Sequence, residues 1–391
     1  MRFPARFGVA GAKVTALLGA AALVTAAAAA VAGPASAATA TMHDHVHFGA
    51  HHAVFVQTDN IAGNHVVAYH RGHDGALTLA GTYNTGGLGG VLAGSAVDHL
   101  ASQGSLSYDQ RRGLLYAVNA GSNTVTVFAV RGDRLFRLQV VSSHGTFPVS
   151  VAVHGDLVYV LNALNGGSVQ GYRVAFGHLF PIHGSHRRLG LNPAATPQFT
   201  NTPGQVAFSP DGSQLIVTTK ANGSDIDVFG VRFTGGLTLN PVVNSEPGTV
   251  PFAIAFDQSG HLVIANAGTN ALATFTLGST GVVTLIDAVG SGQAATCWVA
   301  PAGGTLFASN AGSASISGFQ SSAAGQLTLL GHTATDPGTV DATASPDGRY
   351  LYVQTGGNGI VDEFRVNGGT LTSVGSVTVA GAVGGEGIVA P

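Results

Sequence analysis

The sequence Leu115-Tyr-Ala-Val-Asn-Ala-Gly-Ser-Asn-Thr-Val-Thr-Val-Phe128 holds two short apolar runs on either side of a polar turn, and Gly132-Asp-Arg-Leu-Phe136 follows it. The runs are rich in β-branched and aromatic residues, which favour strands, and the Asn and Gly residues between them favour turns. The same order of segments recurs along the chain, and its clearest marker is a segment such as Gly325-Gln-Leu-Thr-Leu329. The markers begin at Gly75, Gly132, Gly177, Gly235, Gly281, Gly325 and Gly369. The chain is therefore built from repeats.

The spacing of the repeats predicts the fold. Successive markers lie 57, 45, 58, 46, 44 and 44 residues apart, and each unit holds four short strand-like runs. Four strands in a unit of this length are typical of a β-propeller blade. The first unit, from Ala53, lacks a first strand, which the tail Glu386-Gly-Ile-Val-Ala-Pro391 can supply. We predict an all-β, seven-bladed propeller with four-stranded blades, closed by pairing of the C-terminal strand with blade one.

Composition excludes several classes of protein. Only 9% of the 391 residues are charged and 45% are hydrophobic, whereas disordered chains are highly charged and poor in apolar residues. The single cysteine, Cys297, excludes a disulfide scaffold and a cysteine-based metal centre. The formal net charge of −3 gives no basic surface for nucleic acid. We expect no cofactor and no nucleic-acid partner.

The N-terminal residues are typical of a secretory signal peptide. Residues 1–13 carry Arg2, Arg6 and Lys13 and no acidic residue, an apolar stretch spans 14–32, and Ala35-Ser36-Ala37 provides a small-residue cleavage pattern. A signal peptide over 1–37, cleaved near Ala37, predicts a secreted protein; the alternative is an N-terminal membrane anchor. No second long apolar run follows, so we expect no further membrane insertion. The remaining chain divides into a His-rich arm, residues 38–52, and the propeller, residues 53–391, which we expect to be monomeric.

The segment 115–128 resembles the repeat of lactonase-type seven-bladed propellers, a family that includes 6-phosphogluconolactonase-like and carboxymuconate cyclase-like proteins. It is also similar to the Tyr-Val-x-Asn (YVTN) repeats of surface-layer propellers. The resemblance covers residues 53–391 and implies the opening or closing of a lactone ring, with His, Arg and Glu at the starts of inner strands. At the matching positions of Pro203-Gly-Gln-Val-Ala-Phe-Ser-Pro-Asp-Gly212, this chain has Gly204 and Gln205 instead of Arg and His.

Two carboxylates are the first candidates for a site. The repeat alignment places Asp341 and Glu386 at the start of the first strands of neighbouring blades, facing the mouth of the channel. Neighbouring carboxylates can divide acid and base roles or hold a cation; the alternative is two solvated mouth residues. The two longest units have extra residues near 84–102, which contain His99, and near 183–202. We expect both loops over the mouth, with His99 beside Glu386.

Polar residues at the same end of the blades are candidate ligand contacts. Gln205 starts an inner strand, whereas Asn119, Asn266 and Asn310 end second strands, and their amides serve either a ligand or their own turns. Lys220 and Arg187 would make one side of the mouth basic. The arm residues His43, His45 and His47 are weak metal candidates, and we expect no functional metal site. Cys297 is expected in the core.

Two functions remain open at this stage. The first is a secreted binding or interaction module that holds a small polar ligand, or another extracellular protein, at the top of the channel. This binding function is favoured by the absence of the Arg and His, by the low charge and by the small polar residues of the loops. The second is a divergent lactonase-type hydrolase or cycloisomerase that uses Glu386, Asp341 and His99. A hydrogen bond between His99 and Glu386 would favour the enzyme.

Overall fold

The computed structural model describes residues 52–391, which form seven antiparallel sheets arranged as successive blades. Blade one contains β1 (Ala53–Gln57), β2 (His65–Arg71) and β3 (Leu77–Asn84). Blade two contains β4 (Leu106–Asp109), β5 (Leu114–Asn119), β6 (Thr124–Arg131) and β7 (Arg134–Ser142). Blade three contains β8 (Pro148–His154), β9 (Leu157–Asn162), β10 (Ser168–Ala175), β11 (His178–Pro181) and β12 (Arg187–Arg188). Blade four contains β13 (Val206–Phe208), β14 (Gln214–Thr218), β15 (Asp225–Gly230) and β16 (Val242–Ser245).

The other three blades follow the same order. Blade five contains β17 (Pro251–Phe256), β18 (Leu262–Asn266), β19 (Ala271–Leu277) and β20 (Val283–Gly290). Blade six contains β21 (Thr296–Ala302), β22 (Thr305–Asn310), β23 (Ser315–Ser321) and β24 (Leu327–Ala334). Blade seven contains β25 (Thr339–Ala344), β26 (Tyr350–Thr355), β27 (Ile360–Asn367) and β28 (Thr370–Thr378). One short helix, α1 (Gln198–Asn201), lies between β12 and β13.

The C-terminal strand closes the ring, as predicted. β29 (Ile388–Val389) pairs antiparallel with β1, and Val56 faces Ile388 in the register. The blade-one sheet has the order β29-β1-β2-β3, so its inner strand comes from the far end of the chain. This pairing removes the open edge that β1 would otherwise present. The seven-bladed, all-β prediction is confirmed.

Blade three departs from the four-strand prediction, because its outer strand is interrupted. Both β11 and β12 pair with β10, which makes five strands in this sheet. Between them the chain bulges outward, and Ser185 places its hydroxyl 3.1 Å from the backbone N–H of Gly171. Ile182 donates its N–H to the carbonyl of the same Gly171 at 2.9 Å. The bulge therefore satisfies the ladder groups that it interrupts.

Burial follows the position of each strand in its blade. The second strands, such as β5, are almost entirely buried, whereas outer strands such as β7 are exposed or half-buried at every residue but one. The Ser-Pro-Asp-Gly turns connect first and second strands as expected: Gly212 has a φ of +73°, and Ser209 donates to the Asp211 carboxylate at 2.6 Å. Within residues 52–391, no helix is both long and apolar enough to span a bilayer. The predicted signal peptide and all of the arm except His52 lie outside the described residues.

Candidate functional site

Two loops meet over one face of the ring. The first insertion loop, residues 85–105, connects β3 to β4; the second, residues 189–205, connects β12 to β13 and contains α1. The backbone N–H of Ala93 donates to the side-chain carbonyl of Gln198 at 3.0 Å, and the N–H of Phe199 donates to the Ala93 carbonyl at 3.4 Å. Residues 85–105 and 189–205 of the two longest units therefore lie together on one face, whereas residues 183–188 of the second predicted insertion belong to the outer edge of blade three.

Lys220 joins both insertion loops to blade four. It is the only lysine after Lys13, and its side chain is 1% exposed. The ammonium donates to the Ala101 carbonyl at 2.6 Å, to the Phe199 carbonyl at 2.6 Å and to the Thr202 hydroxyl at 3.2 Å. All three of its N–H donors are therefore used. Lys220 fastens the first insertion loop to the second.

A segment of the first insertion loop fills the central channel. We call residues 101–104 the plug. The Gln103 side chain donates to the Val299 carbonyl at 2.9 Å and accepts from the Val299 N–H at 3.1 Å, and its backbone N–H donates to Gly204. Trp298 donates its indole N–H to the Ser102 carbonyl at 2.7 Å. The plug is thus bonded to blade six and to the second insertion loop, and the channel is not the open, water-filled space that solvated mouth carboxylates would need.

A pocket remains on the mouth side of the plug, between the two insertion loops and blades five and six. The mouth pocket has a volume of about 360 Å³ and a mostly apolar lining. Its floor is buried, with Phe252 and Trp298 in edge-to-face contact at a ring-centroid distance of 5.0 Å. Its rim includes exposed residues such as Ala96 and Gly312. A concave, apolar pocket with a few polar groups is the usual form of a small-molecule site.

The carboxylates singled out from the sequence lie at the ring closure, away from this pocket. The carboxyl cluster consists of Asp59, Asp98, Asp341 and Glu386, and each member is at least 95% buried. Glu386 accepts hydrogen bonds from the Gly104 N–H at 3.0 Å and the Ser102 hydroxyl at 3.2 Å. Its own backbone N–H donates to the Asp59 carboxylate at 2.8 Å. The cluster therefore binds the plug to the C-terminal segment.

Burial changes the protonation of the carboxyl cluster. Removal from water raises the pKa of Asp59 to about 8, and it raises the pKa of Asp98 to about 6 even though Lys220 and three backbone N–H groups oppose the change. The pKa of Asp341 rises to about 7 by burial. That of Glu386 rises well above its ordinary value, because of burial first and the neighbouring Asp341 second.

Asp341 and Glu386 meet, as the sequence analysis expects, but in the interior. Their carboxyl groups lie close enough for each to affect the pKa of the other. Two carboxyls this close resist ionising together, because their negative charges repel each other. Both Asp341 carboxyl oxygens accept from backbone N–H groups, one from Ala342 at 2.9 Å and the other from Ile388 at 3.3 Å. The expectation that these carboxylates face the mouth is wrong, because the plug covers them.

His99 contacts the C-terminal segment through its backbone, but its side chain is not part of the carboxyl cluster. Its backbone N–H donates to the Gly384 carbonyl at 2.8 Å, and its ring packs against Gly384, where a side chain would collide with it. The ring Nδ1 is buried without a partner, and burial lowers the pKa of the imidazole. Within the described part of the chain, no hydrogen bond joins His99 to Glu386. The arrangement that would favour the enzyme hypothesis is therefore not formed.

Gln205 and Arg187 serve contacts within and between blades. The Gln205 side-chain carbonyl accepts from the Ile254 N–H at 2.6 Å, which links blades four and five. Arg187 lies on β12, and its guanidinium donates to the backbone carbonyls of Thr238 and Leu237, each at 2.7 Å. The expected basic side of the mouth is therefore not formed, because Arg187 is engaged with blade four and Lys220 is buried.

The three asparagines are buried at the ends of second strands. Two of them repeat one pattern: the Asn119 amide donates to the hydroxyls of Thr124 and Thr126, and the Asn310 amide donates to those of Ser315 and Ser317. These bonds connect the second strand to the third within one blade, which is the turn role. Asn266 is also buried, and its side-chain oxygen has no hydrogen-bond partner.

No group of three or more His, Cys, Asp or Glu side chains within residues 52–391 is placed to hold a metal ion. The weak metal candidates His43, His45 and His47 lie outside the described residues. Cys297 is buried beside the mouth pocket, and burial raises the pKa of its thiol to about 12, so it is a poor nucleophile.

Several residues of the site carry no motif in the sequence. Asp59 follows β1 and has a φ of +50°, and its carboxylate accepts from the Gln57 amide. Gln103 reaches across the channel, and Phe199 and Phe252 line the mouth pocket. In the sequence, only the length of the two insertion loops pointed to this face of the ring, and no pattern pointed to these individual residues.

Solved structures of other proteins share this architecture. A periplasmic gluconolactonase from Pseudomonas aeruginosa has 18% sequence identity, with 86% of this chain and 98% of that chain covered and a TM-score of 0.65. A protein from Lactobacillus plantarum has 19% identity over 86% and 98% of the two chains, with a TM-score of 0.68. The fold is that of the lactonase-type seven-bladed propellers. A candidate 6-phosphogluconolactonase from Bacteroides fragilis has 19% identity, 85% and 96% coverage and a TM-score of 0.65.

The resemblance predicted from the repeats is thus confirmed for the fold. No protein-family model matches the chain, and no curated protein matches it by sequence. At identities of 18–19%, the lactonase-type fold says nothing about activity, because one propeller architecture hosts many unrelated functions.

Proposed function

We propose that this protein is a secreted small-molecule-binding propeller, and that its ligand occupies the mouth pocket. The observation that carries the proposal is the separation made by the plug. The accessible cavity lies above Trp298 and Phe252. Asp59, Asp341 and Glu386 do not line it, and Asp98, which does, is buried and hydrogen-bonded within the first insertion loop. The mostly apolar lining favours a ligand that is less polar than the sequence analysis expects.

Secretion is part of this proposal and rests on the sequence of residues 1–37. A basic start, an apolar stretch and Ala35-Ser36-Ala37 are the three parts of a signal peptide. Expression of the full chain in a secreting host, followed by N-terminal sequencing of protein from the medium, tests it. We expect a mature protein that begins near Ala38; a cell-bound protein that retains residues 1–37 would contradict secretion.

The alternative is a lactonase-type hydrolase or cycloisomerase, as the periplasmic gluconolactonase with the same fold suggests. Such an enzyme would need its acid and base within reach of a substrate. Glu386 is fully buried and hydrogen-bonded to the plug, and His99 makes no bond to it. We therefore place binding before catalysis. Release of a hydroxy acid from a panel of sugar lactones by the purified protein, with loss of that activity in Glu386→Gln, would reverse this order.

A ligand-binding screen tests the main proposal. The full-length protein is screened by thermal shift against fragments that range from sugar lactones to aromatic hydrocarbons. Ala311→Phe places a large ring in the mouth pocket, and Ala62→Phe adds the same ring to an exposed turn on the same face of blade one. We expect stabilising fragments for the native protein and for Ala62→Phe, and none for Ala311→Phe. Equal stabilisation of Ala311→Phe would move the ligand elsewhere.

A further inference from the structure

The floor of the mouth pocket is aromatic and held in place. Trp298 and Phe252 meet at an interplanar angle of 62° and are 4% and 5% exposed. The indole N–H of Trp298 donates to Ser102, so the orientation of this ring is fixed and its only polar atom is used. Phe199, half-buried on α1, lines another side of the pocket. A ligand would therefore meet aromatic rings that belong to three different segments.

The other walls are unusually smooth. Ala267 and Ala311 occupy equivalent positions, directly after the second strands of blades five and six. Ala295, Ala96, Gly94 and Gly312 complete this part of the lining. Side chains this small leave no projecting groups. A flat molecule can therefore approach the backbone closely on one side while its face or edge contacts the rings of the floor.

The polar groups in the lining are already satisfied. The Lys220 ammonium has three acceptors, and the Asp98 carboxylate accepts from the backbone N–H groups of Leu100 and Ser102 at 2.9 and 3.0 Å. Thr200 donates its hydroxyl to the Pro197 carbonyl. A charged ligand would lose its hydration without gaining a free counter-charge, which is strongly unfavourable in an apolar site.

Building on the proposed function, we infer that the ligand of the mouth pocket is a neutral, planar aromatic molecule. A cavity of about 360 Å³ lies at the small end of ligand pockets and suits about two or three fused rings. Aromatic contacts supply selectivity over a saturated molecule of the same shape, because ring pairs are stabilised beyond the area that they bury.

Isothermal titration of the full-length protein with three probes tests the inference: naphthol, its saturated analogue decahydronaphthol, and naphthoate. We expect naphthol to bind roughly tenfold more tightly than decahydronaphthol, as two aromatic contacts would give, and naphthoate to bind most weakly. Trp298 is the only tryptophan in the chain, so a change in its fluorescence on addition of decahydronaphthol, which has no aromatic chromophore of its own, places the binding event in this pocket.

Phe252→Leu should reduce the preference for naphthol to a few-fold or less and leave decahydronaphthol binding nearly unchanged. Phe180→Leu, at an exposed position on β11, is the matched control and should keep the full preference. If Phe252→Leu does not fold, Phe199→Leu on the second insertion loop takes its place. Equal affinities for the two neutral probes, or tighter binding of naphthoate, would overturn the inference but leave small-molecule binding standing. If no probe in this set or in the fragment screen binds, both proposals fail.

Discussion

The mouth pocket and the carboxyl cluster contact the same plug but differ in composition and in exposure. The pocket is lined mostly by small and aromatic residues and reaches an exposed rim, whereas the cluster contains four buried acidic residues, of which only Asp98 also lines the pocket. Sequence reasoning looks first for residues that can perform chemistry, and here those residues form the interior closure of the ring. The accessible site is lined mainly by small, aliphatic and aromatic residues that carry no motif, and its charged groups, Lys220 and Asp98, are already hydrogen-bonded. Perturbed carboxyl groups therefore mark a structural junction here, although in many proteins they mark an active site.

The largest expected effect comes from removing the C-terminal segment. Deletion of residues 384–391 removes β29 from β1 and Glu386 from the plug, and it leaves the Asp59 carboxylate without the backbone donor that it now has. We expect a loss of about 5 kcal/mol or more in the free energy of unfolding, or roughly 10 °C in the melting temperature. Deletion of Pro391 alone is the control. A truncated protein that melts like the native one would contradict closure by this strand.

The next largest effect should come from Lys220→Met. Methionine fills similar space but leaves the Ala101 and Phe199 carbonyls without their donor, and Asp98 loses its nearest favourable charge. Unsatisfied buried groups are costly, so we expect a loss of about 3 kcal/mol, measured by urea denaturation. Arg232→Met, at an exposed cation, should change stability by less than about 0.5 kcal/mol. Equal effects of the two substitutions would show that Lys220 does not fasten the insertion loops.

The carboxyl cluster should make the protein less stable as the pH rises from about 4 to 7. The folded-state pKa values of Asp59, Asp98 and Asp341 are about 8, 6 and 7, above those of the unfolded chain. The folded protein therefore keeps protons that the unfolded chain releases, and this stabilisation is lost as the pH passes through the folded-state values. Burial lowers the pKa of Lys220 to about 7, which acts in the opposite direction only above pH 7.

Glu386→Gln separates this effect from other acids in the protein. The amide keeps an oxygen for the Gly104 N–H and can donate to Asp341, but it cannot ionise. We expect the slope of unfolding free energy against pH to become less steep by up to about 1.4 kcal/mol per pH unit, with ligand binding in the mouth pocket unchanged. A variant that keeps the native slope and loses binding would restore Glu386 as a functional residue.

The ring could be predicted from sequence because its signals are local and repeated. The Gly325-Gln-Leu-Thr-Leu329 marker and its counterparts establish the unit, and the incomplete first unit at Ala53 requires the tail at Ile388 as its partner. Each of these signals depends on strand and turn preferences within a few residues. For this reason the blade number and the closure were both predictable.

The position of the site could not be predicted, because it depends on where one irregular loop runs. Gln103 reaches Val299 across 196 residues of sequence, and Trp298 reaches Ser102 across the same separation. No periodic pattern encodes such contacts. The repeat alignment correctly put Asp341 and Glu386 at one level of the ring, but the plug decided whether that level meets solvent. The length of the repeat unit marked the first insertion loop, and only the folded structure showed that this loop turns into the channel.

The smallest effect is expected at Cys297, the one thiol of the chain, which lies where the two regions approach each other. Its side chain lines the mouth pocket, while the pKa of its thiol is raised to about 12 by burial, with smaller influences of Lys220 and Asp98. Because the thiolate is the reactive form, the folded protein should react only very slowly with a thiol-specific reagent at pH 8, whereas the urea-unfolded protein should react fully. Cys297→Ala should cost about 1 kcal/mol or less, since it removes one small buried atom.

The thiol then reports on the plug: Lys220→Met should accelerate labelling of the folded protein, because a loosened insertion loop exposes Cys297 more often, whereas Arg232→Met should leave the rate unchanged. Fast labelling of the native protein would mean that the thiol is reached through the mouth pocket, and an equal rate in Lys220→Met would show that labelling does not report on the plug.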